Sequence, residues 1–320
     1  MTDAMKVSDF MMNLAKRLQE ERKLAESTTT QYLQTLYKLA GNKSFKNLAW
    51  TKKYEDVQKI IDTYAKSTQG NQYMVLTSAL SIFNDKATYK SPYNYWRDKM
   101  MESRKERDSM PANTKTEKQE ENWLTWEEVS KKKSQLKEEI SSLSLTKGKI
   151  TPGQYDKLLQ YVIISLYSDI APRRNQDYLD MYVAKKLPKT YPTDVNYYDM
   201  ATQRFIFNKY KTVKTFGEQV FDVPEDLQAT LKLFIEHHPL NKGKVKEFKL
   251  LVKQDGTPLN TVNSITRILN RIFGKKIGSS MLRHAFVSTK FGGALADMKS
   301  DADKMAHSVA TQQNVYIKLD

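Results

Sequence analysis

The chain has no cysteine. That excludes a disulfide framework, a thiol nucleophile and any cysteine-ligated zinc or iron–sulfur centre. Histidine is scarce as well, with four in all and two of them adjacent at His237 and His238, too few for a histidine-rich metal site. Long apolar runs are missing too. No window approaches the ~18 apolar residues a membrane span needs, and no uninterrupted apolar stretch follows Met1 to Lys6 as a signal peptide requires. The expectation is an intracellular protein with no membrane partner, whose chemistry runs without a metal or other cofactor.

Positive charge and apolar content are what the chain does have. Its 320 residues are 39% hydrophobic and 28% charged, enough for true cores and long enough for two domains. Lys and Arg number 52 against 37 Asp and Glu, a net charge of +15. Such an excess neutralises phosphates and releases counterions, so nucleic acid leads the list of partners. A basic surface without a ligand, or one facing an anionic membrane, is the alternative that charge alone leaves open.

Residues 1–104 read as a helical domain. Val7, Phe10, Leu14 and Leu18 recur at helical steps, and Thr28 with Gln31 forms a capping-box pattern ahead of Tyr32, Leu36 and Leu39. Val57, Ile60, Ile61 and Tyr64, then Met74, Leu76, Leu80 and Phe83, continue the pattern. Residues 105–123 are polar, contain Pro111 and have the composition of a linker. The second domain, 124–320, opens on a capping box at Thr125 and Glu128. Another helix starts at Thr151-Pro152-Gly153-Gln154, with proline pre-organised at the first helical position. Phe205 and Phe207, then Phe221 and Val223, alternate as two strands of a hairpin across Thr212 to Gly217. Pro224-Glu225 opens a helix through Leu227, Leu231 and Phe234, Leu250 to Val252 reads as a strand, and from Asn260 the chain looks helical almost to its end. The fold class is mainly α with a small antiparallel β component.

Several residues suit phosphoryl chemistry on DNA without a metal. Such a reaction needs a nucleophile, cations on the nonbridging oxygens and an acid for the leaving oxygen. Arginine suits the clamp because its planar fork binds phosphate bidentately and is always charged. A tyrosine hydroxyl can form a covalent ester that stores the bond energy for religation.

Arg174, followed by Asp177, Tyr178 and Met181, stands ahead of a lysine-rich turn, Lys209-Tyr210-Lys211-Thr212-Val213-Lys214. Leu282-Arg283-His284-Ala285-Phe286 follows, then His307 and, nine residues on, Tyr316. In this order and local context the residues resemble the catalytic domain of the tyrosine recombinase (phage integrase) family, which shares its chemistry with type IB topoisomerases. The resemblance spans roughly Leu124 to Lys318. It implies Arg174 and Arg283 as phosphate clamps, Lys211 as the acid with Lys209 and Lys214 as alternates, His307 as an assisting donor and Tyr316 as nucleophile. Asp177 supports the first arginine, and Arg173 fits the register less well because its third neighbour is Gln176.

Two departures stand out. Ser280 occupies the place of the family's usual histidine, and can donate a hydrogen bond but not act as a base. His284 is out of register and is expected to pack or support its helix. Only four residues follow Tyr316, which leaves self-association through a C-terminal helix open. The resemblance further implies a helical core-binding domain, a clamp on double-stranded DNA, dimers or tetramers on that DNA, and use by a mobile or viral element. It leaves a relaxing topoisomerase, or a catalytically impaired DNA-binding protein of the same fold, as alternatives.

Overall fold

The computed structural model describes residues 6–109, 114–143, 145 and 150–317, and its chain divides into two compact units between Thr114 and Lys115. The first unit is helical: α1 (Asp9–Arg22), α2 (Glu26–Leu39), α3 (Tyr54–Asp62), α4 (Lys66–Ser81) and α5 (Ala87–Asp108). Ser8 caps α1 through its side chain, and Met11, Leu14 and Leu18 form its buried stripe, whereas Val7 lies before the helix and is exposed. The start expected at Thr28 falls two residues late. Thr29 is buried in phase with Leu33 and Leu36, and its hydroxyl donates to Ala25 O at 3.1 Å, so the packed face begins earlier and Ala25 becomes the cap. Trp96 of α5 is fully buried, stacks on Tyr73 and donates its indole N–H to Thr51 O at 3.0 Å, which anchors α5 on the other helices.

Of the residues read as linker, 105–108 close α5 and Glu117–Glu121 form a short helix, α6, with a capping box between Thr116 and Gln119. Residues 110–113, with Pro111, lie outside the described residues. Arg104 and Asp108, one turn apart at 3.5 Å, show how a polar segment without an apolar period stays helical in water.

The second unit continues with α7 (Trp126–Ser142), α8 (Pro152–Ser168) and α9 (Asn175–Leu179). Both expected capping boxes form, Thr125 with Glu128 and Thr151 with Gln154. Helix α8 is the centre of the core: Leu158, Val162, Ile163, Ile164 and Leu166 are fully buried. A five-stranded sheet follows in the order β4-β3-β2-β1-β5, built from β1 (Met181–Ala184), β2 (Asn196–Asp199), β3 (Arg204–Phe207), β4 (Gln219–Asp222) and β5 (Glu247–Lys249). Between β3 and β4 lies a single turn of helix, α10 (Val213–Phe216). The expected hairpin is present, with Phe205 opposite Phe221. One pair departs from the antiparallel expectation: β1 and β2 are parallel, because residues 185–195 cross over and Asn196 N donates to Asp180 O, which starts β2 beside Met181. No helix among the described residues is long and apolar enough to cross a membrane.

Helix α11 (Glu225–Glu236) is followed by α12 (Val262–Phe273), which Gly274 terminates in the left-handed region at φ 65°. Then comes α13, Ser279–Lys304, as one 26-residue helix. Residues 297–304 are its last turns, and a short turn at 305–306 ends it. A short α14 (Val309–Thr311) and a π turn (Gln312–Tyr316) complete the described chain.

Just past α11, the His238 ring is buried between Phe234 and Phe248, accepts from Leu240 N–H at Nδ1 and donates from Nε2 to Leu250 O at 3.1 Å. Burial pushes its pKa down from 6.5 to about 4. The unfolded chain therefore takes up a proton that the folded chain refuses. This contribution to stability is complete above the unfolded pKa and is lost as pH falls through the folded one. Between pH 7 and 4.5, wild type is expected to lose roughly 2 kcal/mol more unfolding free energy in urea than His238→Gln. Parallel losses in the two proteins would show that His238 does not control acid stability.

Candidate active site

After α8, Asp169 caps the helix and pairs with Lys133 of α7, so the segment Ile170-Ala171-Pro172 leaves the core at a fixed point. Two arginines follow, and their side chains diverge. Arg173 is 15% exposed, with Nε 3.0 Å from Asp177 Oδ2 and its guanidinium carbon 3.7 Å from the Phe207 ring centre. Arg174 is the N-cap residue of α9, and its half-buried side chain makes no hydrogen bond or ion pair among the described residues. A guanidinium left without a partner at a helix N-terminus is suited to an external anion.

Asp177, three residues into the turn, is buried, and its Oδ1 has no hydrogen-bond partner among the described residues. Burial raises its pKa, while Arg173 and then Arg174 pull it back down. Its carboxylate pairs directly with the Arg173 side chain and acts on Arg174 only through longer-range attraction and the backbone.

Arg283 reaches the same place from α13. Its Nε donates to Ser279 O at 3.4 Å and its Nη2 to Ser280 Oγ at 3.0 Å, one turn back along the helix. Ser280 thus acts as an acceptor that orients the guanidinium. Trp126 of α7 meets Phe286 edge-on at 5.1 Å and fixes this end of α13. His284, expected to pack or support the helix, is exposed instead, because Leu282, Ala285 and Phe286 take the inward positions.

One pocket is lined by Pro172, Arg173, Arg174, Asp177, Tyr210, Thr212, Phe216, Gln219 and Arg283. It joins Arg174 and Arg283 across more than a hundred residues of sequence. Three guanidinium groups and one buried carboxylate face it, a balance that favours an anion with several oxygens, such as a phosphodiester. Lys211 is exposed and unpaired among the described residues, and it sits between Tyr210 and Thr212, which both line the pocket. Lys209 is drawn off to Asp180 at 3.4 Å, and Lys214 is exposed on α10.

His307 and Tyr316 are close to each other but not to this pocket. Their rings stack with centres 5.0 Å apart, and Tyr316 is 63% exposed. His307 Nε2 is buried without a hydrogen-bond partner among the described residues. His307 N donates to Ala302 O, near the far end of α13, so about 28 Å of helix axis separates this pair from Arg283. No single phosphate bridges that distance. Gly292 and Gly293 lie between, and a Cβ added at either would meet nothing within 4 Å. Two glycines in an exposed helix weaken it by about 1 kcal/mol each relative to alanine and make this the place for a bend.

Beyond Arg174, Asp177 and Arg283, the pocket is lined by Pro172, Tyr210, Thr212, Phe216 and Gln219, to which the sequence pattern gives no role, and by Arg173, which it ranks below Arg174. Only Arg173 carried a signal, its four-residue spacing to Asp177, which is an ion-pair spacing on a helix.

No family model matches the chain, and no curated protein matches it. Among solved structures it is similar to one described as the crystal structure of XerA recombinase, at 14% identity over 98% of this chain and 94% of that one, with a TM-score of 0.34.

Proposed function

We propose that this protein cleaves and rejoins DNA strands through a covalent 3′-phosphotyrosyl link at Tyr316, in recombination of a mobile or viral element. The observation that carries this reading is the convergence of Arg174 and Arg283 on one pocket beside the Lys211 loop. The Tyr316 hydroxyl gives its proton to water as its oxygen attacks phosphorus, and the bond to the 5′ oxygen breaks. Arg174 and Arg283 hold the nonbridging oxygens as charge builds on them, and Lys211 gives its proton to the departing 5′ oxygen. Attack by a 5′ hydroxyl on the phosphotyrosine reverses the sequence, with the ester having kept the bond energy. The net charge of +15 supplies the attraction to double-stranded DNA. For Tyr316 to reach the pocket, α13 bends at Gly292 and Gly293 on DNA.

A second reading is a DNA-binding protein without cleavage activity. The distance between Tyr316 and the arginine pocket favours it.

The test uses nicked duplexes randomised around the nick, so that no target sequence need be known. Protein linked to DNA is captured under denaturing conditions and the linked tyrosine is located by mass spectrometry. An adduct at Tyr316 is expected; no adduct from any duplex overturns the reading and leaves binding alone. The captured sequence then tests the bend. Ala at both 292 and 293 stabilises the straight helix by about 2 kcal/mol and is expected to slow adduct formation about 30-fold at unchanged DNA affinity. An unchanged rate would mean that α13 does not bend there.

A further inference from the structure

Arg173 ties together several parts of the pocket's framework. Its Nε donates to Asp177 Oδ2 at 3.0 Å, on α9, and its Nη1 donates to Gln219 Oε1 at 2.9 Å, on β4. Its guanidinium carbon lies 3.7 Å from the ring centre of Phe207, 5.1 Å from that of Tyr210 and 5.8 Å from that of Phe221. One planar cation is thus stacked on the end of β3, the start of the following loop and the strand that receives it, while its fork ties them to α9.

The loop in question carries Lys211. Tyr210 donates its hydroxyl to Gly217 O at 2.7 Å, which closes residues 210–217 into a unit. Whatever fixes Tyr210 and Gln219 therefore fixes Lys211. Among the described residues the other ties between this loop and α9 sit at the loop's base: Asn196 Nδ2 donates to Asp177 O and Lys209 O, and Lys209 pairs with Asp180. At the pocket end the tie is Arg173. The alternating rings of the hairpin thereby acquire a purpose beyond packing, since aromatic faces and a guanidinium attract one another most strongly when water is excluded.

We infer that Arg173 is a positioning residue that sets the Lys211 loop against Arg174, and so places the acid for the leaving 5′ oxygen. The inference rests on the strand-cleavage reading above. Lysine keeps the charge at this site but has neither the flat face nor the fork, so it cannot hold three elements at once.

The experiment compares two substrates with the captured sequence, one ordinary and one with sulfur in place of the bridging 5′ oxygen at the scissile phosphate. A thiolate leaves without a proton, because a thiol has a pKa near ~8.5 whereas an alkoxide needs an acid at neutral pH. Arg173→Lys is expected to cut the single-turnover rate about 100-fold on the oxygen substrate and only a few-fold on the sulfur substrate. Gln219→Leu removes the β4 bond alone, on a partly exposed edge strand, and is expected to show the same pattern at about 10-fold, which keeps the test open should Arg173→Lys fail to fold. Equal losses on both substrates, or no loss on either, would overturn the positioning role while leaving strand cleavage intact. A wild type that forms no adduct on either substrate would overturn strand cleavage itself, and the positioning role with it.

Discussion

Tyr316→Phe is expected to bind duplex DNA as tightly as wild type and to form no covalent adduct, a loss of more than about 10⁴-fold. The substitution deletes one oxygen from a ring that is 63% exposed and stacked on His307, so no buried contact and no core volume is lost. Thermal stability is therefore expected to move by less than about 0.5 kcal/mol. If lysines and arginines distributed over the chain supply the proposed DNA affinity, it should show the same dependence on salt in both proteins. A persisting adduct would instead point to a different tyrosine. The competitor is Tyr210, which lines the arginine pocket and would need no bend in α13. Its hydroxyl is spent on Gly217 O and its side chain is buried, which argues for a place in the loop's framework and not for attack on phosphorus. Tyr210→Phe separates the two: it leaves an adduct at Tyr316 in place if Tyr316 is the nucleophile, and removes the adduct if Tyr210 is.

Local chemistry made much of the fold legible. Thr125 with Glu128 and Thr151 with Gln154 place two helix starts, because a side-chain oxygen facing an orphan N–H three residues on is a contact within one turn. The β3–β4 hairpin was legible for the same reason, since strand alternation and the polar stretch between are both short-range. Thr28 misled because a capping pattern competes with the phase of the buried face, and Thr29 packs in that phase. The parallel pairing of β1 with β2 depends on where residues 185–195 carry the chain, which no local pattern encodes. Gly292 and Gly293 look like a break, yet α13 runs through them. Continuous helix on both sides outweighs their low propensity. In the site, the residue types were legible and the directions of the side chains were not. Arg173 and Arg174 are identical neighbours until Phe207, Tyr210 and Gln219 arrive from the hairpin to occupy one of them, and that meeting is a tertiary event.

Arg174→Ala and Arg283→Ala are each expected to lower the single-turnover cleavage rate about 1000-fold while weakening DNA binding only a few-fold. On the strand-cleavage reading each arginine is one phosphate contact among many in the ground state, so affinity barely registers its loss. In the transition state the charge sits on the oxygens they hold, and there the loss is concentrated. Neither side chain is a core residue: Arg174 makes no side-chain hydrogen bond or ion pair among the described residues, and Arg283 bonds only to Ser279 O and Ser280 Oγ there, so folding should survive both changes. Lysine at either position restores charge without the bidentate fork and should recover part of the rate, more at 174, where no serine acceptor has oriented the group. The double variant discriminates further. If both arginines grip one phosphate, the second substitution removes support from a site already disabled, and the combined loss falls short of the product of the two single losses. Losses that multiply fully would mean that Arg174 and Arg283 serve different phosphates, and the pocket they line would then be a DNA-docking surface with the cleavage centre elsewhere.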